Sequence, residues 1–259
     1  MPVRFLGMPP DNAPTAAEIR NRLDRQPGWY HTFEVAPGLT TPGRFDFRPA
    51  LAHIPWPNVR RKRCLEVGTR DGFLAFELER QGAAEVVAID GDDDHLGGAC
   101  FQLAAELLGS RVDRRPMSVY DLDPAEVGRF DVVVCAGLLR CLHDPVRALE
   151  AIRSVTGAAF LSVEQIELWL SVLGRGRPLL QLGAAAGQGE WFRANGAGHK
   201  GLLAATGFEI ERLSRPFAVP FNRGPRPPRT LSNRVSDLAT RLVTGGSAPG
   251  VLHRALLAR

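Results

Sequence analysis

The sequence predicts an α/β protein built on a Rossmann-like, mostly parallel sheet with helices on both faces. Three observations predict it. Short apolar runs alternate with amphipathic segments from Arg63 to Ile166; the glycine-bearing turn LEVGTRDG joins the first run to the first of these helices; and the carboxylate Asp90 closes the second run, EVVAID. With 259 residues, 44% of them hydrophobic, the chain holds one large domain with appendages rather than two full domains.

In order along the chain, Ile19 and Leu23 share one face of a short helix over residues 15 to 25, with Thr15 as its N-cap and Pro27-Gly28 beyond its end. The stretch GWYHTFEVAPGLTTPGRFDFRP is rich in aromatics, Pro and Gly and reads as an irregular connection. RCLEVG is a strand, DGFLAFELERQG a helix, EVVAID a strand, and DDHLGGACFQLAAELLG a helix with Leu96, Cys100, Leu103 and Leu107 on one face. Asp93 or Asp94 caps that helix, which removes DGDDD from consideration as a metal site. Residues from Asp113 to Val119, FDVVVCAG, PVRALEAIRSV and AAFLSVEQI continue the alternation, with Asp144 as an N-cap and Pro145 at the first helical position.

A Leu/Gly/Ala-rich segment then breaks the pattern and reads as an irregular insertion near the site. GHKGLLAATGFEIERLS resumes it as a helix, a Gly stop and a sixth strand; NRGPRPPRT is a linker, LSNRVSDLATRLV a helix, and VLHRALLAR a closing strand. The expected division is therefore an N-terminal lid over 1–60, a core over 61–220 with its insertion at 167–195, a basic linker and helix over 221–250, and the closing strand over 251–259.

No apolar run reaches the ~20 residues a membrane-crossing helix needs, and no secretory leader is visible at the start, so a soluble cytoplasmic protein with no membrane partner is expected. Cys64, Cys100, Cys135 and Cys141 form no CxxC pair and read as reduced thiols; no metal is expected. The net charge of +4 sits in the tail, where seven Arg face the single acid Asp237, and the main domain is slightly acidic.

Chemistry concentrates in three places. Glu66 ends the first strand, Gly68 lets the backbone approach a ligand, and Gly72 opens a helix whose free N–H groups suit a carboxylate, with Thr69 and Arg70 between them. Asp90, followed by Gly91, ends the second strand, where a carboxylate accepts two ribose hydroxyls. A nucleoside-bearing ligand fits both. The GxGxxG pattern of dinucleotide sites is absent, which argues against a dehydrogenase.

These motifs, in the order GWYHTFEVAPGLTTPG, LEVGTRDGFLAFELERQGA with VVAID, FDVVVCAGLLRCLHDPVRAL and WFRANGAGHKGLLAATGF, resemble the class I S-adenosylmethionine-dependent methyltransferases. More narrowly, the chain resembles the family of the tRNA wobble-uridine carboxymethyltransferase and its relatives, and the resemblance covers most of residues 28 to 215. It implies a seven-stranded sheet whose last strand runs antiparallel beside the sixth, with S-adenosylmethionine across the carboxyl ends of the strands. By the same resemblance Glu66, Gly68 and Gly72 cradle its methionine part, Asp90 holds the ribose, Ser118 and Val119 border the adenine, and Ala136 and Gly137 lie near the sulfonium.

The chain departs from that family where Tyr-His is replaced by Arg140-Cys141. Arg140 then holds a carboxylated cofactor, anchors an acidic acceptor, or pairs with a surface acid. Trp29 and Tyr30 either fold over the cleft as a lid or pack in the core. His143, just past the fourth strand, and His31, beside the lid aromatics, are the candidate general bases; methyl transfer to a good nucleophile also proceeds by alignment alone. Glu164 either touches the acceptor or caps a turn. The slightly acidic core and apolar insertion favour a small-molecule acceptor; the Arg-rich tail and the family resemblance favour RNA. A non-catalytic cofactor-binding scaffold is the alternative from another class.

Overall fold

The computed structural model describes residues 14–91, 95–183, 189–223, 231–245 and 250–259. The Asp93 or Asp94 cap, Arg226 and Arg229 lie outside them. Helix α1 (Ala16–Arg25) starts where expected, with Thr15 and Glu18 in a reciprocal capping box. A small hairpin, β1 (Glu34–Ala36) with β2 (Leu39–Thr40), turns at Gly38 and belongs to the connection that leads to the core.

The alternation then appears as β3 (Arg63–Val67), α2 (Phe73–Arg80), β4 (Glu85–Asp90), α3 (His95–Leu108) and β5 (Asp113–Pro116). It continues through α4 (Pro124–Val127), β6 (Phe130–Ala136), α5 (Pro145–Val155) and β7 (Thr156–Gln165). Asp144 caps α5 by accepting the Arg147 N–H at 3.0 Å, and Pro145 occupies its first turn, where a missing N–H costs nothing. The third strand is shorter than the sequence suggests. It stops at Pro116, and Ser118 instead caps a 3-10 turn over Val119–Asp121.

The insertion is more regular than expected. It folds as α6 (Leu168–Gly174) and a hairpin of β8 (Leu180–Leu182) with β9 (Phe192–Ala194) before α7 (Gly196–Ala205) returns to the core. Asn195 organises this: its side chain takes the Leu179 and Gly198 N–H groups and donates to the Leu170 and Arg177 carbonyls. One buried amide thus replaces a repeating pattern, which periodicity does not reveal.

The last elements are β10 (Ile210–Leu213), β11 (Phe217–Pro220), α8 (Leu231–Thr244) and β12 (Gly250–Ala258). The main sheet runs β10-β12-β7-β6-β3-β4-β5. Strands β3 to β7 are mutually parallel, while β12 is antiparallel to both β7 and β10. The seven-strand expectation needs one correction, because β11 is an eighth strand that pairs with β12 beyond β10. The interruption lies at Ser214 to Pro216, where the Ser214 hydroxyl takes the Ala255 N–H and proline supplies no donor.

Side chains alternate across the sheet into two cores. Cys64, Val132, Val134, Leu161 and Val163 face α2, α3 and the lid aromatics, whereas Leu65, Val67, Val133, Cys135 and Phe160 face α5 and α7. The order reverses at β3, with β4 and β5 on one side and β6 and β7 on the other. In open α/β sheets a ligand lies at the carboxyl ends of the strands at such a switch point.

Candidate cofactor and acceptor site

The turn after β3 is built by backbone geometry that few residues other than glycine adopt. Gly68 sits at φ 81° and Gly72 at φ 90°. A Cβ on Gly72 would lie 2.4 Å from the Phe76 ring and 2.6 Å from that of Phe101, so the position admits no side chain. Between them Arg70 adopts φ 47°, an uncommon conformation for a residue with a side chain, and its N–H donates to Asp90 Oδ2 at 2.6 Å. The other Asp90 oxygen takes the Gly91 N–H at 3.0 Å. Asp90 therefore locks the turn it faces.

Glu66 and Thr69, assigned by the sequence to the cofactor, instead turn inward. Glu66 is buried, and its carboxyl receives the Thr69 hydroxyl and the Ala75 N–H. Burial pushes its pKa up to about 8, against those two hydrogen bonds, so it carries a proton near neutrality. Its place at the end of a strand was legible; its orientation follows from the Ala75 N–H in the first turn of α2. These two residues shape the turn.

Asp71, which the sequence reading passed over, is fully buried and binds the lid to this same turn. Its Oδ2 accepts the Tyr30 and His31 N–H groups, each at 2.8 Å, and its Oδ1 bonds His31 Nδ1. The His31 ring stacks on Phe73 and meets Phe47 and Tyr30 edge-on, which makes it a clamp on the lid rather than an open base. Trp29 takes the core-packing alternative: buried, with its Nε1 on the Leu23 carbonyl, it packs between α1 and Phe33. Of the lid residues proposed from sequence, Tyr30 alone reaches the site. Its ring lies under the Arg70 guanidinium at 4.8 Å from the centroid. Burial raises the phenol pKa, and the neighbouring Arg70, Arg140 and Arg44 act in the opposite sense.

On the far side, Gly137 follows β6 at φ 66°, and among the described residues nothing lies within 4 Å of where its Cβ would be; the same holds at Gly91 after β4. Ala136 is half-buried beside it. Gly68, Gly91 and Gly137 thus present bare backbone at the ends of three adjoining parallel strands. Ser118 accepts the Tyr120 N–H and Val119 is buried next to it, at the edge beyond β5.

Glu164 resolves toward the turn-capping role. Its buried carboxyl accepts the Leu139 N–H at 3.1 Å and that of Leu138, and burial lifts its pKa to about 7. Arg140 resolves toward pairing with an acid. Nη1 meets Gln165 Oε1 and Nη2 pairs with Glu190 of the insertion, while its carbonyl receives the Trp191 N–H at 2.8 Å. His143 is exposed and packs edge-on against Trp191 at 4.6 Å.

Comparison with known proteins gives the same architecture. Residues 65–158 match the methyltransferase domain family. The N-terminal domain of EvdMO1, solved with S-adenosylhomocysteine and D-fucose, superposes with a TM-score of 0.56 over 94% of this chain and 96% of that one, at 18% identity. The 1,6-didemethyltoxoflavin N1-methyltransferase of Burkholderia thailandensis superposes at 0.53, covering 82% of this chain and 77% of its own, at 19% identity. The fold is that of the class I S-adenosylmethionine-dependent methyltransferases. In sequence, the ubiquinone biosynthesis O-methyltransferase of Neisseria meningitidis is 34% identical over 108 residues, 40% of this chain and 45% of the relative. That of Hahella chejuensis is 36% identical over 110 residues, 42% and 43% of the two chains. The chain spans less than half the length of the curated relatives it matches.

In this methyltransferase fold the matched segment runs from within β3 to the start of β7 and so includes Gly68, Asp90 and Gly137, whereas residues 1–60 lie outside it. That division explains why Asp71 escaped the sequence reading. Its partners are forty residues upstream and are backbone donors, which have no residue signature. The convergence of Arg44, Arg70 and Arg140 on Tyr30 was equally hidden, since the three lie far apart in the sequence.

Proposed function

We propose that the chain is an S-adenosylmethionine-dependent methyltransferase acting on a small-molecule acceptor. The observation that carries this reading is the trio Gly68, Gly91 and Gly137 at the ends of β3, β4 and β6, with Asp90 held among them. Gly91 and Gly137 leave the strand ends free of side chains where a nucleoside would lie across them. Gly72 opens α2 with no side-chain cap, and of the first-turn N–H groups that of Ala75 is taken by Glu66; the others are the ones we assign to the cofactor carboxylate. When bound, the cofactor supplies an electrophilic methyl group. The protein's part is alignment: Asp90 takes the ribose hydroxyls, Ala136 and Gly137 border the sulfonium, Ser118 and Val119 flank the adenine, and Tyr30 closes the cleft.

His143 is the group we assign to take the acceptor's proton, since it is exposed past β6, while His31 is committed to Asp71. A small-molecule acceptor is supported by the names of the relatives, which make ubiquinone or methylate toxoflavin precursors. Carboxymethyl transfer and a tRNA acceptor gain nothing from them, and Arg140 already has Glu190 as its anionic partner. In the basic tail, Arg223 faces Asp24 at 3.5 Å.

Calorimetry with S-adenosylhomocysteine tests the proposal. Micromolar affinity, about −8 kcal/mol, is expected, and it should vanish in Gly68→Val, whose side chain would enter Leu138 at a positive φ. Unchanged affinity in a folded Gly68→Val protein would show that the cofactor lies elsewhere. Release of S-adenosylhomocysteine on addition of an acceptor separates an enzyme from a binding scaffold, and loss of turnover in His143→Ala with intact cofactor affinity identifies the base.

A further inference from the structure

The large apolar side chains that remain in solvent are not scattered. Among the described residues, nine of the eleven lie on the insertion or on α8. On α6, Trp169, Val172 and Leu173 share one face at positions i, i+3 and i+4 and are 43%, 71% and 68% exposed, while Leu170 and Gly174 face inward. Leu182 of β8 is 84% exposed. Leu238 and Leu242, one turn apart on α8, are 60% and 77% exposed, and α8 packs beside α6. Single exposed leucines are ordinary; exposed apolar faces on two helices that pack side by side mark an interaction surface.

Charge selects the partner. Arg175 and Arg177 follow α6 directly, Arg241 lies between Leu238 and Leu242, and all three are exposed with no acidic partner among the described residues. The acids of this region with described side chains, Glu167 and Glu190, are taken up by Arg193 and Arg140. A second copy docked here by two-fold symmetry would bring these like charges together. An anionic lipid surface would meet both features at once, apolar side chains entering the acyl boundary and guanidinium groups meeting phosphates.

We propose that the exposed apolar faces of α6 and α8 dock on an anionic membrane surface. No helix among the described residues is long and apolar enough to cross a membrane, so the contact lies in the interfacial plane. The inference is independent of the cofactor chemistry. The face adjoins the acceptor side, because Arg140 joins Glu190 and Trp191 packs on His143 within the same insertion.

Flotation of the whole protein with vesicles tests it, using phosphatidylcholine alone and phosphatidylcholine mixed equally with phosphatidylglycerol. Binding is expected for the mixed vesicles, falling as salt rises. Val172→Asp/Leu242→Asp should lose it while keeping its melting temperature, both positions being exposed. Arg175→Gln/Arg177→Gln/Arg241→Gln should weaken it by roughly a hundredfold. S-adenosylhomocysteine affinity, measured on the same variants, should stay unchanged, so that failure of this inference and failure of the functional reading are told apart. Absence of binding to the mixed vesicles, or binding that the aspartate variant retains, overturns the proposal. So does a lipid-free dimer that the aspartate variant dissociates, which would assign the face to a second copy.

Discussion

The carboxylate of Asp71 and the imidazole of His31 form a buried pair that fastens the lid to the turn following the first core strand. Asp71 contributes nothing to the sheet and its side chain has no exposure, yet three donors from two consecutive lid residues converge on it. The pair lies one residue from Arg70 and from Gly72, so the placement of Tyr30 depends on it. Asp71→Ala should therefore lower stability by about 3 to 5 kcal/mol, the loss expected when one partner of a buried pair is removed. Asp71→Asn keeps one acceptor oxygen and should fall between. Urea denaturation measures both, and a parallel loss of S-adenosylhomocysteine affinity in Asp71→Asn would show that the lid and the turn act together.

Gly72 gives the sharpest steric prediction. An added Cβ would enter two aromatic rings at a backbone angle that disfavours any side chain, so Gly72→Ala should cost at least about 2 kcal/mol. Gly91→Ala is the contrast, because among the described residues nothing lies within 4 Å of the added methyl and its φ is not in the left-handed range. Its melting temperature should stay put while cofactor affinity falls, since the methyl would point into the space we assign to the ligand. Thermal melts with and without S-adenosylhomocysteine distinguish the two.

The contrast between these residues shows what a sequence reveals. The strands, the crossovers, Gly68, Gly72 and Asp90 were legible because local spacing and residue type are dictated by a strand-turn-helix geometry. The reversed seventh-strand position was reached through resemblance, not through pattern. Orientation was not legible. Glu66, Glu164 and Trp29 stand at the right positions in the chain and point into the protein, because a backbone N–H or carbonyl supplied by another element satisfies them. The insertion was read as irregular for the same reason, its order coming from the Asn195 amide.

Arg140 bridges two parts of the site, and its removal should be felt by the acceptor rather than the cofactor. Arg140→Ala frees Gln165 and leaves Glu190 without its main cation. S-adenosylhomocysteine affinity should change less than twofold, and acceptor KM should rise, because the insertion loses the Arg140–Glu190 tie that holds it beside His143. Steady-state kinetics with calorimetry checks this. Tenfold tighter binding of a carboxylated cofactor by the wild type, erased in Arg140→Ala, would show instead that Arg140 serves the cofactor.

Four buried titratable groups shape the pH dependence of stability in opposite directions. Burial raises Glu66 to about 8 and Glu164 to about 7 from an ordinary 4.5, so both are protonated in the fold. Above pH 4.5 the unfolded chain releases these protons and the folded chain does not, so their contribution declines as pH rises and is lost through pH 7 to 8. His199 and His253 are depressed by burial to about 3 and about 4 from 6.5, and the fold holds them neutral. Below pH 6.5 the unfolded chain gains these protons and the folded chain does not, so their contribution declines as pH falls toward 3 to 4. Between pH 4.5 and 6.5 the two pairs oppose each other with equal slopes, and stability from these groups should be flat, falling on either side. Glu164→Gln keeps an oxygen for the Leu138 and Leu139 N–H groups but has no proton to lose. It should weaken the alkaline decline and leave the acid limb unchanged. Denaturant midpoints measured from pH 4 to 9 decide it: an alkaline limb identical in wild type and Glu164→Gln would mean that Glu164 is ionised in the fold.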